Sequence, residues 1–468
     1  MDRKPDRVKI GLLGLMIELY DRLGPALRES QDGFAQEMAG TWADWADVVW
    51  PGVANTRAKV DEAVGRFHAE GCDVIVVVCL AYAPSLIAAR ALLDSPLPIV
   101  LLDTQRQAGP GAEPTSDFLI ENHGVHGVQD LANVLLRGGK SVPIIVGDWR
   151  ANDTVSELQD RCLGARGRTV LRTMRVGAVG PTLAGMGDLN VDETAFALQV
   201  GPDVVPIATE RVARLAGEAS DADVAKRVKE NESSFEIDPE LTAEQHAAAV
   251  RVSLSLERIA AEDDLQALAV YFLTVSEDGR IPTLPFLAAS RLMADGLGYA
   301  GEGDVSCASL VAAQQRIVGI AGFTEMFAMD FDEDSILMQH MGEGNYAMGR
   351  TDRKPLLRPR PFPLSPTPEA PATPCFALAP GPATVSSLFA GPEGRFRLVV
   401  SECDVADWGP FPELRTPHFR LAPKQGLKTF IEAWSRAGGS HHQAICPGYR
   451  ARLIAALGEA AGVETILI

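Results

Sequence analysis

Basic charge is what this 468-residue chain has little of: Lys and Arg number 43 against 62 Asp and Glu, for a net charge of −19. A surface of that sign repels phosphate backbones and anionic lipid, so neither nucleic acid nor a membrane surface is an expected partner. Cysteine is scarce too. The seven run from Cys72 to Cys446 with no CxxC pair and an odd total, a reducing-compartment pattern that points to the cytoplasm and not to a disulfide framework. No apolar run approaches the ~20 residues of a membrane span; the longest candidate, Val74–Ala83, is about half that. The opening MDRKPDRVKIGLLGLMIELYDR carries charge on both sides of a short apolar run and reads as a first β-strand, not a signal peptide. There is no GxSxG elbow, no P-loop and no internal repeat, which leaves hydrolase and nucleoside-triphosphatase readings without a motif. The string Gly298–Gly303 (GYAGEG) is GxxGxG, not the GxGxxG of a dinucleotide site. Asp330–Asp334 (DFDED) lacks the glycine and terminal Glu of an EF-hand loop and reads as a solvated turn.

What is present is ordinary globular material: 46% apolar and 22% charged residues, over a length that fits two or three domains. In the first third, short β-rich runs alternate with helical stretches: Val8–Leu13, then Asp21–Glu37; Val74–Cys79, then Pro84–Leu93; Ile99–Leu102; and Val142–Val146 after Leu131–Arg137. Apolar runs without alternation suit strands buried on both faces, so a doubly wound parallel sheet is expected over residues 1–171. Ligands sit beyond the carboxyl ends of such strands, here Glu18–Tyr20, Tyr82–Pro84 and Asp103–Gln105. A central α/β part, 172–318, contains the Ala-rich run Thr242–Phe272, read as one or two amphipathic helices with Thr242 and Gln245 at capping-box spacing. Further helices are expected at Pro285–Asp295 and Val305–Val318. From 319 to 468 the pattern turns β-rich. Ser365–Pro382, dense in Pro, Ala and Thr, leads into strand-like Ala383–Leu388 and Phe396–Val400 and belongs to that part, not to a flexible linker.

Only eight histidines are available for chemistry, and five fall in glycine-flanked motifs: His123 and His126 in ENHGVHG, His340 in LMQHMGEGN, and His441 and His442 in AGGSHHQ. Glycine beside each allows the close backbone approach that a site floor needs. A lone histidine is more often a hydrogen-bonded structural residue than a ligand, so clustering alone is weak. Glu277 in FLTVSEDG and Glu302 in GYAGEGD follow apolar segments at element ends, where a carboxylate projects into a cleft. Carboxylates with imidazoles form a mixed O/N donor set suited to Mn²⁺, with Co²⁺ or Zn²⁺ also able to bind. Among 62 acids, composition by itself does not single out these two.

Three ordered motifs resemble the L-arabinose isomerase family, and the resemblance runs along nearly the whole chain. Phe272–Asp304 (FLTVSEDGRIPTLPFLAASRLMADGLGYAGEGD) matches the family's Glu-Asp pair, Leu-Pro, helix ending Arg-Leu-Met and G-[FY]-A-G-E-G-D. His340-Met341 with Glu343 matches His-Met-x-Glu, and Glu432–His442 matches E-A-W…A-G-G-x-H-H. Weaker matches are Ala83-Pro84, Asp103-Thr104-Gln105, Asn122…His126-Gly127 and Gly147-Asp148-Trp149. The resemblance implies that Glu277, Glu302, His340 and His442 ligate a catalytic Mn²⁺, with Glu277 and Glu302 as the acid–base pair. It implies further that His441 and Met341 lie beside them, and that His126 reaches a sugar site from its own or a neighbouring subunit of a homo-oligomer (trimer, tetramer or hexamer). The expected reaction interconverts an aldose and a ketose by moving a proton between C1 and C2 through a cis-enediol, with a divalent Lewis acid stabilising the developing oxyanion.

The sugar-contacting residues depart from the family. Where it carries Ser-Gln-His-Leu-Tyr, this chain has Met16-Ile17-Glu18-Leu19-Tyr20, so Ile17 replaces Gln and Glu18 replaces His. His123 stands for a Gln, Tyr82 for a Phe, and Gly344-Asn345-Tyr346 for Val-Cys-Pro. A site built to hydrogen-bond hydroxyls discriminates strongly when its partners change. Metal-dependent sugar isomerisation is therefore the expectation, with an epimerase, a modified-sugar isomerase or a non-catalytic sugar-binding relative as alternatives.

Overall fold

The computed structural model describes residues 4–113, 115–411 and 413–468, and the chain divides into two compact units, Asp6–Arg166 and Gly167–Ile468. In the first unit, β1 (Val8–Leu15), β2 (Ala46–Val49), β3 (Val74–Cys79), β4 (Ile99–Asp103) and β5 (Ile144–Val146) form one parallel sheet in the order β2-β1-β3-β4-β5. This is the doubly wound arrangement expected. All six residues of β3 are buried, because helices cover both faces of a central parallel strand and leave no side for polar alternation. The helix expected over Asp21–Glu37 is two helices, Leu19–Leu23 and Pro25–Thr41. Pro25 supplies the preset φ of a first helical turn and cannot donate backward, so the chain restarts there.

The second unit opens with β6 (Arg175–Val179), β7 (Asp203–Ile207), the short β8 (Glu236–Ile237), β9 (Ala267–Val270) and β10 (Gly298–Gly301). Four of these make a parallel sheet ordered β10-β9-β6-β7. The helix before β9 spans Ala243–Glu262, and its capping box is the one the spacing indicated: Thr242 Oγ1 accepts from Gln245 N–H while the Gln245 side chain accepts from Thr242 N–H. Removing such a cap costs about 0.5–2 kcal/mol. Helix does not continue to Phe272, as the apolar run suggested. Asp264 takes a φ of +51°, ending the helix, and the apolar ALAV that follows is the buried strand β9, since a run that short has no helical period to enforce. The helices Phe286–Ala294 and Val305–Val318 lie where expected.

The remaining strands are β11 (Gly322–Asp330), β12 (Ser335–Gln339), β13 (Leu356–Pro359), β14 (Ala372–Cys375), β15 (Gly381–Ala390), β16 (Phe396–Val405), β17 (His418–Pro423), β18 (His442–Pro447) and β19 (Glu464–Leu467). A seven-stranded, mainly antiparallel sheet runs β15-β18-β11-β12-β17-β16-β19, and the extra β15–β16 pairing closes its first six strands into a ring. Around Val385, Val399, Phe419, Leu421, Phe430, Trp434 and Ile445 this sheet has its own buried core. The Pro-rich stretch contributes β14 and the start of β15, as read from the sequence. Asp330–Asp334 holds the turn between β11 and β12. All seven cysteines are buried and unpaired. Among the described residues, no helix is long and apolar enough to cross a membrane.

Candidate active site

Three elements of the second unit bring a carboxylate and two imidazoles together. Glu302 is the first residue past β10, His340 the first past β12, and His442 the first of β18. One donor atom from each lies within 4.8 Å of the others, and all three residues are buried. Local sequence explains the convergence. Gly301 ends β10 because a Cβ there would stand 2.6 Å from His340 Cε1, so any side chain would displace the imidazole. Glu302 itself has φ +55°, a left-handed conformation that costs a non-glycine residue on the order of 1 kcal/mol or more. The Leu183 N–H donating to its carbonyl at 3.0 Å helps hold that turn.

Each histidine is oriented by a carboxylate behind it. His340 Nδ1 is 2.7 Å from Glu343 Oε2, and His442 Nδ1 is 3.1 Å from Asp304 Oδ2. With Nδ1–H donating backward, the Nε2 lone pair of each ring is free, the arrangement that presents neutral imidazole to a cation. Asp304 has a second task, since its other oxygen caps the helix Val305–Val318 by accepting from Cys307 N–H at 2.9 Å. The Phe323 ring lies against both imidazoles, 4.8 Å from each centroid. Two atoms of the group are conspicuous: Glu302 Oε2 and His442 Nε2 are buried with no hydrogen-bond partner, a costly state for polar atoms unless a ligand meets them.

The electrostatics follow from this packing. Burial pulls the His340 pKa down, but the charge and hydrogen bond of Glu343, helped by Glu325 and Glu302, outweigh it and leave the pKa raised. Burial pushes Glu302 up, yet the nearby His441 ring and the charges of the three neighbouring imidazoles leave it lowered. Beside the group, half-buried His441 donates Nδ1–H to Asp188 at 2.6 Å, and its Nε2 is 3.8 Å from Glu302 Oε2. Burial opposes its charge, but those two carboxylates raise its pKa to about 10 and the same contact holds Asp188 well below the usual carboxylate range.

Not every candidate converges here. Glu277 ends the helix Phe272–Glu277, exposed and outside the three-residue group. It and Glu302 both act on the Tyr271 hydroxyl, whose pKa burial raises first and these two charges raise further. The Met341 sulfur faces Arg360, 3.9 Å from Nη2. Ile17, Glu18, Tyr82, His123 and His126 belong to the first unit, at the carboxyl ends of β1 and β3 and the start of the helix Val125–Arg137. There His123 donates Nδ1–H to Ile120 O at 2.9 Å and accepts at Nε2 from Tyr20 OH at 3.3 Å. Tyr82 stacks on its ring and His126 meets it edge-on, at 6.1 and 5.9 Å. Ile17 N–H donates to Tyr82 O at 2.8 Å, whereas Glu18 and His126 are exposed. The helix reaches this position because Gly124 has no Cβ, which would stand 2.1 Å from Cys79 O. Sequence reasoning gave Glu343 and Asp304 no role, although both lie inside quoted motifs, three residues from His340 and two from Glu302. Asp188 carried no local signal, because it lies far along the chain from His441.

Comparison with known proteins fits this layout. The L-arabinose isomerase central-domain model matches residues 186–319, and the L-arabinose isomerase C-terminal-domain model matches 320–464. An L-arabinose isomerase of a Nocardioides species is 30% identical over 85% of this chain and 81% of its own length. Those of Shewanella baltica (25%, covering 85% and 81%) and Saccharophagus degradans (24%, covering 90% and 86%) are also similar. Fold, site and relatives together define an intramolecular oxidoreductase, a sugar isomerase of the aldose–ketose class. Within that class the chain belongs to the L-arabinose isomerase family, as a divergent member.

Proposed function

We propose that the protein is a divalent-metal-dependent aldose–ketose isomerase whose sugar differs from L-arabinose in the part met by the Met16–Tyr20 loop. One observation carries the reading: Glu302, His340 and His442 converge in a buried group whose Glu302 Oε2 and His442 Nε2 lack partners. An O/N donor set of this kind fits Mn²⁺ or Co²⁺. Glu302, His340 and His442 would hold the ion, with Glu277 as the fourth ligand carried over from the family motif. Bound there, a divalent cation supplies Lewis-acid stabilisation of the oxyanion that develops as the sugar enolises.

The chain's own residues do the rest. Glu343 and Asp304 keep both imidazoles turned toward the centre. Glu302 and Glu277 form the acid–base pair: one takes the proton from C2 and returns it at C1, while the other passes the hydroxyl proton from O2 to O1. His441, Met341, Tyr82, His123, His126, Ile17 and Glu18 contact the sugar in this reading. A homo-oligomer in the cytoplasm, with domains 1–171, 172–318 and 319–468, completes it; the two family matches meet at 319/320, which supports the second boundary.

The test is ketose formation across a panel of pentoses, hexoses and deoxy-sugars, using EDTA-stripped protein with Mn²⁺ restored. Metal-dependent ketose from at least one sugar other than L-arabinose is expected. Mn²⁺ binding without ketose from any sugar would overturn the reading in favour of an epimerase or a binding protein.

A further inference from the structure

We propose that Asp188 is a positioning residue of this isomerase: from the loop after β6 it holds the His441 imidazole with Nε2 turned toward Glu302 and the sugar oxygens that bind there. The inference rests on the isomerase reading above and adds a residue that neither the quoted motifs nor the resemblance assigns. Three donors converge on one oxygen, Asp188 Oδ2: Ser440 Oγ at 3.1 Å, His441 N–H at 3.1 Å and His441 Nδ1–H at 2.6 Å. Backbone and side chain of the same histidine are thereby gripped together, which fixes the ring's position and keeps a proton on Nδ1. The ring edge left free carries Nε2, 3.8 Å from Glu302 Oε2.

The same loop also braces the turn that carries Glu302. Leu183 N–H donates to the Glu302 carbonyl at 3.0 Å, and the Pro181 carbonyl sits where a Cβ on Gly303 would lie 2.4 Å away. One loop therefore ties down both the turn that presents Glu302 and the Ser440–His442 segment that presents the two histidines. Among the described residues, the side-chain hydrogen bonds of Asp188 go to Ser440 and His441 and to none of Glu302, His340 or His442. Loss of Asp188 is therefore separable from loss of a metal ligand. Its carboxylate is 39% exposed, so an aqueous ion pair that merely decorates the surface is the reading the test has to defeat.

Asp188→Ala and Asp188→Asn are made in the full chain and compared with wild type on the sugar that the panel identifies. Mn²⁺ affinity is measured by calorimetry without sugar, and the carbethoxylation rate of His441 by peptide mass mapping. Asp188→Ala should lose about 10- to 100-fold in kcat, the range for partners that orient a site residue, with KM moved far less and Mn²⁺ affinity within about twofold. Asn retains an oxygen that accepts from Nδ1–H, so Asp188→Asn should recover most of the rate, and His441 should be modified severalfold faster in the alanine variant than in wild type. Unchanged kcat, a kcat loss matched by an equal loss of Mn²⁺ affinity, or unchanged His441 modification would each overturn the proposal. A wild type that turns over no sugar would instead sink the isomerase reading, and the modification rates would then decide the Asp188–His441 contact by themselves.

Discussion

Glu302→Gln separates the cost of this site from its use. In the metal-free protein the substitution keeps size and shape while removing a buried charge whose Oε2 has no partner. What it forfeits is attraction to imidazoles at 3.6 and 3.8 Å. Those terms oppose one another, and the lowered Glu302 pKa shows that attraction outweighs burial, so the metal-free variant should be less stable than wild type. With metal the two proteins should part further. An ion at 100 times its dissociation constant stabilises the folded state by about 2.7 kcal/mol. At about 2.1 cal/mol/K of unfolding entropy per residue, a cooperative unit the size of Gly167–Ile468 shifts by roughly 1.6 °C per kcal/mol, a rise of about 4 °C in Tm for wild type. The variant, with a neutral amide in place of the anionic ligand, should show less than a third of it and no ketose formation. Differential scanning calorimetry with and without Mn²⁺, at matched protein concentration, is the assay. An equal Mn²⁺-induced rise in both proteins would refute Glu302 as a ligand, and normal turnover would remove it from the acid–base pair.

Gly301→Ala should abolish Mn²⁺ binding and destabilise the fold, because the new methyl would lie 2.6 Å from His340 Cε1; calorimetric binding like wild type would show that the strand yields. Replacing Ile17 by Gln should shift the sugar preference toward L-arabinose in the panel assay, and an unaltered profile would place selectivity outside that loop. His246, buried and 2.9 Å from Asn231 Nδ2, has its pKa lowered from 6.5 by loss of solvation. The unfolded chain therefore binds this proton at higher pH than the folded one. The stability contribution is full above 6.5 and is lost as pH falls toward the lower folded value. Urea denaturation at several pH values should show a shallower acid loss in His246→Gln than in wild type, and equal slopes would contradict the assignment.

Much of this architecture is written locally. The runs VIVVVC and IVLL have no polar alternation, so they can only be strands covered on both sides, and they are the centre of the first sheet. Thr242 and Gln245 declare a helix start because a capping box needs only residues three apart. The motifs around Glu302, His340 and His442 likewise announce their chemistry in short strings, since glycine must stand wherever backbone and imidazole meet. Where a local pattern was ambiguous, as in the apolar stretch before Phe272, packing into a parallel sheet decided for strand over helix. Tertiary structure alone determined which carboxylates serve which ring. Asp304 reaches His442 and Asp188 reaches His441 across long separations in sequence, and no spacing rule relates residues that only strand order brings side by side. Glu277, at the end of its helix, lies outside that three-residue group in the metal-free fold. Residue type sets what chemistry is available, and the pairing of β11 with β12 and β18 sets where that chemistry converges.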